Sequence, residues 1–241
     1  MQGICRLSWM PLRAKPESSS EMVSSLLFGE TYQVVSNQGE WLEILTDFDQ
    51  YKGFISADRF AACHFAPDVP TRLVTQAFVL PHQEELPPIL PAGAVLHDHE
   101  IQLLPDMPVC SATPDALCQK AKEFLGIPYL WGGRSYAGID CSGFVQVVFK
   151  INGMTLPRDS RPQAAFCKEI SFSTIQKGDL LFFGKTTEKI THVGIYLGGD
   201  KVIHASGQVR IDHVTQQGIF TESGKQSHAF ICAGRVFEEQ L

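Results

Sequence analysis

Hydrophobic and polar positions alternate in short runs along the first 60 residues. Strand-like runs at 24–28, 31–35, 41–45 and 51–55 are separated by polar or glycine-containing turns, and the third run alternates most clearly. Period-two alternation over four to eight residues is typical of half-buried strands, and strands of this length and spacing indicate a small all-β barrel. We therefore predict such a barrel over residues 1–62.

The pattern over residues 63–112 is less regular. Residues 89–96 predict a turn that leads into a strand, and prolines at 87–88, 105 and 108 bound this run. Proline breaks regular elements because it lacks a backbone donor. We predict a second, truncated barrel of the same kind over 63–112, which makes the two barrels the one internal repeat.

The period changes from two to that of a helix after residue 112. Thr113 and Pro114 are typical of a helix start, an apolar stripe follows, and Gly126 predicts its end. Further helices are predicted over 141–151 and 160–169.

Strand-like runs return after Lys177-Gly178-Asp179. They lie at 180–183, 192–197, 201–205, 208–213 and 229–236. Helices followed by consecutive strands predict an α+β domain with an antiparallel sheet, here over residues 113–241.

Composition narrows the possible partners and compartments. The formal net charge of the 241 residues is −6 without a Lys/Arg cluster, which excludes a nucleic-acid-binding role. No apolar run approaches the roughly 18 residues that span a membrane, and the first ten residues lack a signal-peptide pattern. We expect a cytoplasmic protein without a membrane partner, unless a signal peptide has been removed from the sequence.

The cysteines indicate a reducing compartment and single out one position. There are seven, an odd number, and none forms a C-x-x-C pair, which argues against a disulfide framework or a cysteine-rich zinc site. We interpret His97-Asp98-His99 as an exposed loop or strand because no further metal ligand has recognisable spacing. No sequence pattern requires a cofactor. Cys141 stands apart because of its neighbours.

Cys141 lies at the start of a predicted helix, where unpaired backbone N–H groups favour a thiolate. With an imidazolium partner, such a position lowers a thiol pKa by several units from about 8.5. His192 and His204 lie on predicted neighbouring strands joined by a Gly198-Gly199 turn, which could place them side by side. A cysteine, a base and a polar group that orients the base are the parts of a thiol hydrolase.

Motifs in both halves of the chain resemble known families. The second half resembles the NlpC/P60 family of papain-like cysteine peptidases, through Pro128-Tyr129-Leu-Trp131-Gly-Gly133, Asp140-Cys141-Ser142-Gly143-Phe144, Leu156-Pro-Arg158-Asp-Ser160, Lys177-Gly178-Asp179, His192-Val-Gly-Ile-Tyr196 and Ile203-His204-Ala205. The first half resembles a bacterial SH3 domain, through Pro11-Leu-Arg13, Ser20-Glu21-Met-Val-Ser24, Leu27-Phe-Gly29-Glu30, Trp41-Leu-Glu-Ile and Gly53-Phe-Ile. The expected architecture is a papain-like α+β catalytic domain preceded by SH3-like barrels.

The NlpC/P60 resemblance implies roles for the three residues singled out above. Cys141 becomes the nucleophile, His192 the base and His204 the residue that orients His192. The family hydrolyses amide bonds of bacterial cell-wall peptides, commonly between γ-D-glutamate and a diamino acid. Tyr129 resembles a tyrosine that lies near the nucleophile and assists the oxyanion site, and the backbone N–H of Cys141 is a second candidate donor.

The resemblance also implies substrate-binding residues. Asp140, together with Glu21 and Tyr51 of the SH3-like part, corresponds to residues that hold a free substrate amine. Ser142 and Ser160 correspond to residues that contact the substrate backbone or carboxylate. A solvated barrel surface is the alternative interpretation of Glu21 and Tyr51.

These observations predict a cytoplasmic γ-D-glutamyl–diamino acid endopeptidase. It would act on muropeptide fragments such as L-Ala-γ-D-Glu-diamino acid during peptidoglycan recycling, with the SH3-like barrels selecting short peptides that have a free N-terminal L-alanine. Two alternatives stay open, an exported hydrolase of intact wall peptides and a non-catalytic wall-binding module. The sequence leaves the preferred diamino acid and the oligomeric state open.

Overall fold

The computed structural model describes residues 1–65, 69–104 and 112–237. Contacts divide the chain into two compact units, one of residues 1–110 with 130–138 and one of residues 111–129 with 139–241. The segment 130–138, which lies inside the predicted 113–241 domain, is thus grouped with the N-terminal residues. Cys110, Pro105 and Pro108 lie outside the described residues.

The first unit begins with a six-stranded antiparallel sheet. Its strands are β1 (Gln2–Ile4), β2 (Trp9–Arg13), β3 (Met22–Leu27), β4 (Thr31–Asn37), β5 (Trp41–Thr46) and β6 (Lys52–Ser56), in the order β1-β4-β5-β6-β2-β3. The four predicted strands correspond to β3–β6 and are confirmed. The apolar positions of their alternating pattern, together with Leu12 of β2, form a buried core that includes Leu26, Tyr32, Ile44 and Ile55.

The following part of this unit is built from very short elements. They are β7 (Thr71–Leu73), β8 (Phe78–Val79), β9 (Leu90–Pro91), β10 (Val95–His97) and α1 (His99–Leu103). Within residues 69–104, β7 pairs with β10 and β8 pairs with β9, as two separate two-stranded sheets. A second buried cluster of this unit includes Phe28, Val74, Leu90 and Leu96. The truncated SH3-like barrel over 63–112 stays a prediction.

The segment 130–138 of the first unit contains β11 (Arg134–Ser135), and β12 (Gly138–Ile139) begins at its last residue. The described residues of the second unit, 112–129 and 139–237, form three α-helices, α2 (Pro114–Lys122), α3 (Cys141–Ile151) and α4 (Ser160–Phe166). Thr113 caps α2, because its hydroxyl accepts a hydrogen bond from the N–H of Ala116 at 3.3 Å. The three predicted helices are therefore confirmed. The third ends earlier than predicted, because the residues after it enter a strand.

The sheet of the second unit is antiparallel and nearly closed on itself. Its strands are β13 (Lys168–Ile170), β14 (Leu180–Gly184), β15 (Ile190–Gly198), β16 (Lys201–Ser206), β17 (Gln208–Thr215), β18 (Gly218–Phe220) and β19 (Gln226–Arg235). They are ordered β13-β19-β14-β15-β16-β17-β18, and β18 also pairs with β19, so that β14–β19 form a ring. The predicted α+β class is confirmed.

Two features of this unit position its polar residues. Every residue of α3 is buried, and the helix packs against β15 and β16. The turn between those two strands contains Gly198 and Gly199, with φ of +84° and +57°, values that glycine adopts without steric cost.

Among the described residues, no helix combines the length and the apolar character needed to cross a membrane.

Candidate active site

Cys141 is the first residue of α3 and is almost fully buried, with 6% of its surface exposed. Asp140 is the N-cap of this helix, and its carboxylate accepts a 2.7 Å hydrogen bond from the N–H of Gly143. Backbone hydrogen bonds from Ser142 and Val193 reach the thiol sulfur. Val193 follows His192 directly on β15, so the thiol lies beside the strand that carries the predicted base.

The electrostatic environment of Cys141 differs from the expectation. Burial, and then the negative charge of Asp140, raise the pKa of the Cys141 thiol to about 12, whereas the backbone hydrogen bonds and Arg158 lower it. The lowered thiol pKa predicted from the helix N-terminus was wrong in its net direction. The backbone donors of the helix lower the thiol pKa as expected, but the loss of thiolate hydration on burial raises it by more.

His192 and His204 are brought together by the register of β15 and β16. Ile195 pairs with Ile203, and continuing this register places His204 opposite Gly194, diagonal to His192 on the same face of the sheet. The His192 Nε2 and His204 Nδ1 atoms are 2.7 Å apart, and both side chains are buried. The two residues therefore form a hydrogen-bonded pair.

The hydrogen bonds continue from His204 to a carboxylate that sequence reasoning missed. His204 Nε2 lies 3.0 Å from Asp212 Oδ2, and Arg210 Nη2 donates to Asp212 Oδ1 at 2.7 Å. Asp212 is on β17, where it pairs with Val202, and His204 pairs with Arg210. An Arg-x-Asp sequence on the strand after a candidate histidine was the available signal.

His228 on β19 is a second residue that the sequence did not indicate. Its ring stacks on that of His192 with 4.0 Å between centroids and 19° between planes. Burial, and then the nearby His204, lower the pKa of His228 to about 4. His228 is therefore neutral near pH 7 and presents a flat, weakly polar surface to His192.

The same environment keeps His192 neutral. Burial is the largest cause, followed by His204 and His228, and together they lower the His192 pKa well below its ordinary value of 6.5. A raised thiol pKa and a lowered imidazole pKa both favour the uncharged forms. The resting site thus holds a thiol beside an imidazole that can accept its proton, which is the starting state for general base catalysis.

The three histidines also form a group that could be considered for a metal. One ring nitrogen from each of His192, His204 and His228 lies within 4.8 Å of the others. However, His192 and His204 use facing nitrogens for their mutual hydrogen bond, and the stacked rings of His192 and His228 direct their in-plane lone pairs side by side. The arrangement thus favours hydrogen bonding and stacking over convergent metal ligation.

Asp140 belongs to a buried polar network at the start of α3. Arg158 donates to both carboxylate oxygens, at 3.0 Å to Oδ1 and 2.6 Å to Oδ2, and also donates to the hydroxyl of Ser142 at 2.9 Å. Gln163 of α4 donates to the carbonyl oxygen of Ser142 at 3.0 Å. This network holds the first turn of α3 and gives the Asp140 charge a partner. Substrate binding by Asp140 and Ser142 stays a prediction.

Two further predicted residues of the second unit lie in different settings. Tyr129 is half-buried, and burial raises its pKa to about 12, with smaller contributions from Cys141 and Asp140. The oxyanion role of Tyr129 stays a prediction. Ser160 is the first residue of α4 and is half-buried.

The predicted amine-binding residues Glu21 and Tyr51 belong to the first unit. Glu21 is exposed, and its Oε1 accepts a 2.7 Å hydrogen bond from the indole N–H of Trp131. Tyr51 packs at the edge of the buried core of the six-stranded sheet. Nearby in this unit, Arg134 forms a buried ion pair with Glu30 and donates to the carbonyl of Ser25. The binding roles of Glu21 and Tyr51 stay predictions.

A buried cysteine at a helix start, a hydrogen-bonded histidine pair on an adjoining antiparallel sheet and a carboxylate behind that pair define a thiol hydrolase of the α+β class. Comparisons with known proteins agree. Residues 126–227 match the model of the NlpC/P60 family, and residues 10–60 match that of the bacterial SH3 domain.

Individual relatives extend the match over most of the chain. A protein of Bacillus subtilis named gamma-D-glutamyl-L-lysine dipeptidyl-peptidase is 31% identical over 211 residues, which are 76% of this chain and 71% of that protein. A protein of the same name from Bacillus cereus is 42% identical over 102 residues, which are 42% of this chain and 30% of that protein. A crystal structure of an NlpC/P60 family protein from Bacillus cereus shares the fold, with a TM-score of 0.77 over 98% of this chain and 99% of that chain at 21% identity.

The chain belongs to the NlpC/P60 family: it has a bacterial SH3-like region followed by the family's α+β catalytic domain, and it is a cysteine peptidase of that family. The family predicted from the sequence motifs is thereby confirmed.

Proposed function

We propose that this peptidase hydrolyses the amide bond between γ-D-glutamate and the diamino acid of cell-wall peptides. The observation that carries the proposal is the buried His192–His204 pair. It adjoins the Cys141 thiol, because Val193, the residue after His192 on β15, forms a backbone hydrogen bond with that thiol. The names of the Bacillus relatives, which specify a γ-D-glutamyl-L-lysine bond, support the substrate class.

The chemistry follows from the protonation states of the site. The Cys141 sulfur attacks the γ-D-glutamyl carbonyl carbon while the thiol proton moves to the nitrogen of His192 that does not contact His204. The amide C–N bond then breaks, and His192 returns the proton to the leaving amine of the diamino acid. Water attacks the resulting thioester with His192 as base, which releases the glutamyl carboxylate and restores the thiol.

Burial of both groups makes proton transfer concurrent with attack the lower-energy route. A thiolate–imidazolium pair formed in advance would require charge separation where burial raises the Cys141 pKa and lowers that of His192. The developing oxyanion needs preorganised donors, and the backbone N–H of Cys141 and the hydroxyl of Tyr129 are the candidates.

We propose short peptides with a free N-terminal L-alanine as substrates, since the relatives' names describe dipeptidyl-peptidases. Such an enzyme removes an N-terminal dipeptide, so that the distance from the free amine to the cleaved bond is part of the specificity. Free tripeptides enter a cell and an intact wall does not, so the proposed setting is peptidoglycan recycling in the cytoplasm.

A substrate panel tests this proposal. The protein is incubated with L-Ala-γ-D-Glu-meso-diaminopimelate, with the corresponding L-lysine peptide, with N-acetylated versions of both and with purified sacculi, and released diamino acid is quantified. We expect turnover of the free tripeptides and a loss of at least about 100-fold on N-acetylation, roughly the 2.7 kcal/mol of one lost charged contact. Equal activity on acetylated peptides or on sacculi would instead favour an exported wall hydrolase.

A further inference from the structure

Hydrogen bonds run from His192 through His204 to Asp212, and Asp212 determines which nitrogen donates in each of them. Asp212 is buried, with 3% of its side chain exposed, and contacts His204 Nε2 with one oxygen and Arg210 with the other. Burial alone would raise the Asp212 pKa, but the hydrogen bonds from His204 and Arg210 lower it below its ordinary value. An ionised carboxylate only accepts hydrogen bonds.

The positions of the protons follow along the chain when each ring carries one. His204 Nε2 has to carry the proton, because it faces the carboxylate of Asp212 at 3.0 Å. Its Nδ1 then has a lone pair and accepts from His192 Nε2 at 2.7 Å. The proton of His192 is thereby held on Nε2, and its Nδ1 carries the lone pair that a base needs.

We propose that Asp212, held in place by Arg210, is a positioning residue that fixes the ring tautomers of His204 and His192, so that His192 Nδ1 is the basic nitrogen. The proposal deepens the proposed function, on which its catalytic part rests. Asp212 acts through the rings of His204 and His192 and does not itself exchange a proton with the substrate.

Because Arg210 binds one side-chain oxygen of residue 212, the orientation of an asparagine substituted there can be predicted. In Asp212→Asn the guanidinium, which only donates, retains the amide oxygen, so the amide NH₂ faces His204. His204 Nε2 then becomes an acceptor, its Nδ1–H donates to His192 Nε2, and the His192 proton moves to Nδ1. The base loses its lone pair while every side chain keeps its size.

The first test is the ¹⁵N spectrum of the histidine rings in the full-length wild-type protein near pH 7. Protonated and unprotonated ring nitrogens have well-separated chemical shifts, so the tautomer is read without any substrate. We expect Nε2 protonated and Nδ1 unprotonated for both His192 and His204. A protonated His192 Nδ1 in the wild type would overturn the proposal, and this outcome is independent of whether any variant folds.

The second test is the kinetics of Asp212→Asn. We expect kcat for the tripeptide to fall by about 10²–10⁴-fold, the upper value being the loss known for the equivalent substitution in a serine-protease triad, with KM changed less than about threefold. The ring spectrum of the variant should show the proton on His192 Nδ1. A kcat within threefold of the wild type, or an unchanged tautomer, would contradict the proposal.

The double variant Asp212→Asn/Arg210→Ala is the matched control. Without the guanidinium the amide can turn its oxygen towards His204, so we expect kcat to recover at least about tenfold over the single variant. No recovery would argue against the tautomer explanation. Wild-type protein that has the expected tautomers but does not cleave the tripeptide would disprove the proposed substrate and leave this inference intact.

Discussion

At the scale of residues, the site is built from buried polar groups whose charges are controlled by neighbours. Cys141, His192 and His204 were predicted from spacing and motif, and the structure places them in one buried region. Asp212 and His228 were not predicted, because strand register decides which side chains on β17 and β19 approach the histidines. The Arg210-x-Asp212 pattern was the one local signal for Asp212, and a single sequence without register gives none for His228.

The lowered pKa of His192 predicts the acidic limb of the pH profile. A base has to be neutral to accept the thiol proton, and burial together with His204 and His228 favours the neutral imidazole. As pH falls, kcat/KM should therefore be halved only below pH 6.5, the ordinary pKa of histidine. Measuring kcat/KM between pH 4 and 9 checks this, and a midpoint at or above 6.5 would contradict it.

His228→Phe is the control for this pH dependence. Phenylalanine retains a flat ring beside His192 but removes a group that lowers the His192 pKa. The acidic limb should then move to higher pH. An unchanged limb would show that burial and His204 alone account for the shift.

The Arg158–Asp140 ion pair predicts a large effect on stability. Both side chains are buried, at 1% and 8% exposure, so Arg158→Met removes a guanidinium that donates to both oxygens of a buried carboxylate. We expect the free energy of unfolding to fall by about 3–5 kcal/mol. Denaturant unfolding measures this, with the exposed Arg161→Met as the matched control, which should change stability by less than about 0.5 kcal/mol. Equal effects of the two variants would be inconsistent with this role.

At the scale of elements, period and capping residues predicted most helices and strands. The Thr113 cap, the β3–β6 runs and the long strands of the second unit follow from local pattern. Apart from the strand predicted within residues 89–96, to which β10 corresponds, the short strands β7–β12 and β18 did not, since two or three residues carry no detectable period. Their positions depend on pairing with residues distant in sequence, as the pairing of β18 with β17 and β19 illustrates.

Gly194 is the element-scale feature that allows the histidine pair to form. A Cβ atom there would lie 2.6 Å from Val202 Cγ2 and 3.0 Å from His204 Cβ, so β15 and β16 could not approach as closely. Gly194→Ala should displace His204 and lower kcat by about 10²-fold, because a shift near 1 Å suffices for such a loss. Steady-state kinetics check this against Thr191→Ala, an exposed position on the same strand that should leave kcat unchanged. Wild-type kcat in Gly194→Ala would contradict it.

At the scale of the whole molecule, the chain contains two compact units with separate buried cores. The sequence predicted the α+β class and the SH3-like region, because hydrophobic period and family motifs are carried by contiguous residues. It did not predict that residues 130–138 group with the N-terminal unit, where Arg134 pairs with Glu30 over 104 positions in sequence. Long-range pairing of this kind has no local signature.

The proposed function is the removal of an N-terminal dipeptide from a short peptide with a free amine. The thiol of Cys141, which is buried in the second unit, would attack the bond that follows the second residue. The measurement that tests it most directly is the release of meso-diaminopimelate from L-Ala-γ-D-Glu-meso-diaminopimelate by the wild type and by Cys141→Ala, followed by mass spectrometry. We predict turnover by the wild type and a rate at least about 10³-fold lower in the variant, as expected when the nucleophile is removed. No release by the wild type, or release that survives in Cys141→Ala, would contradict the account.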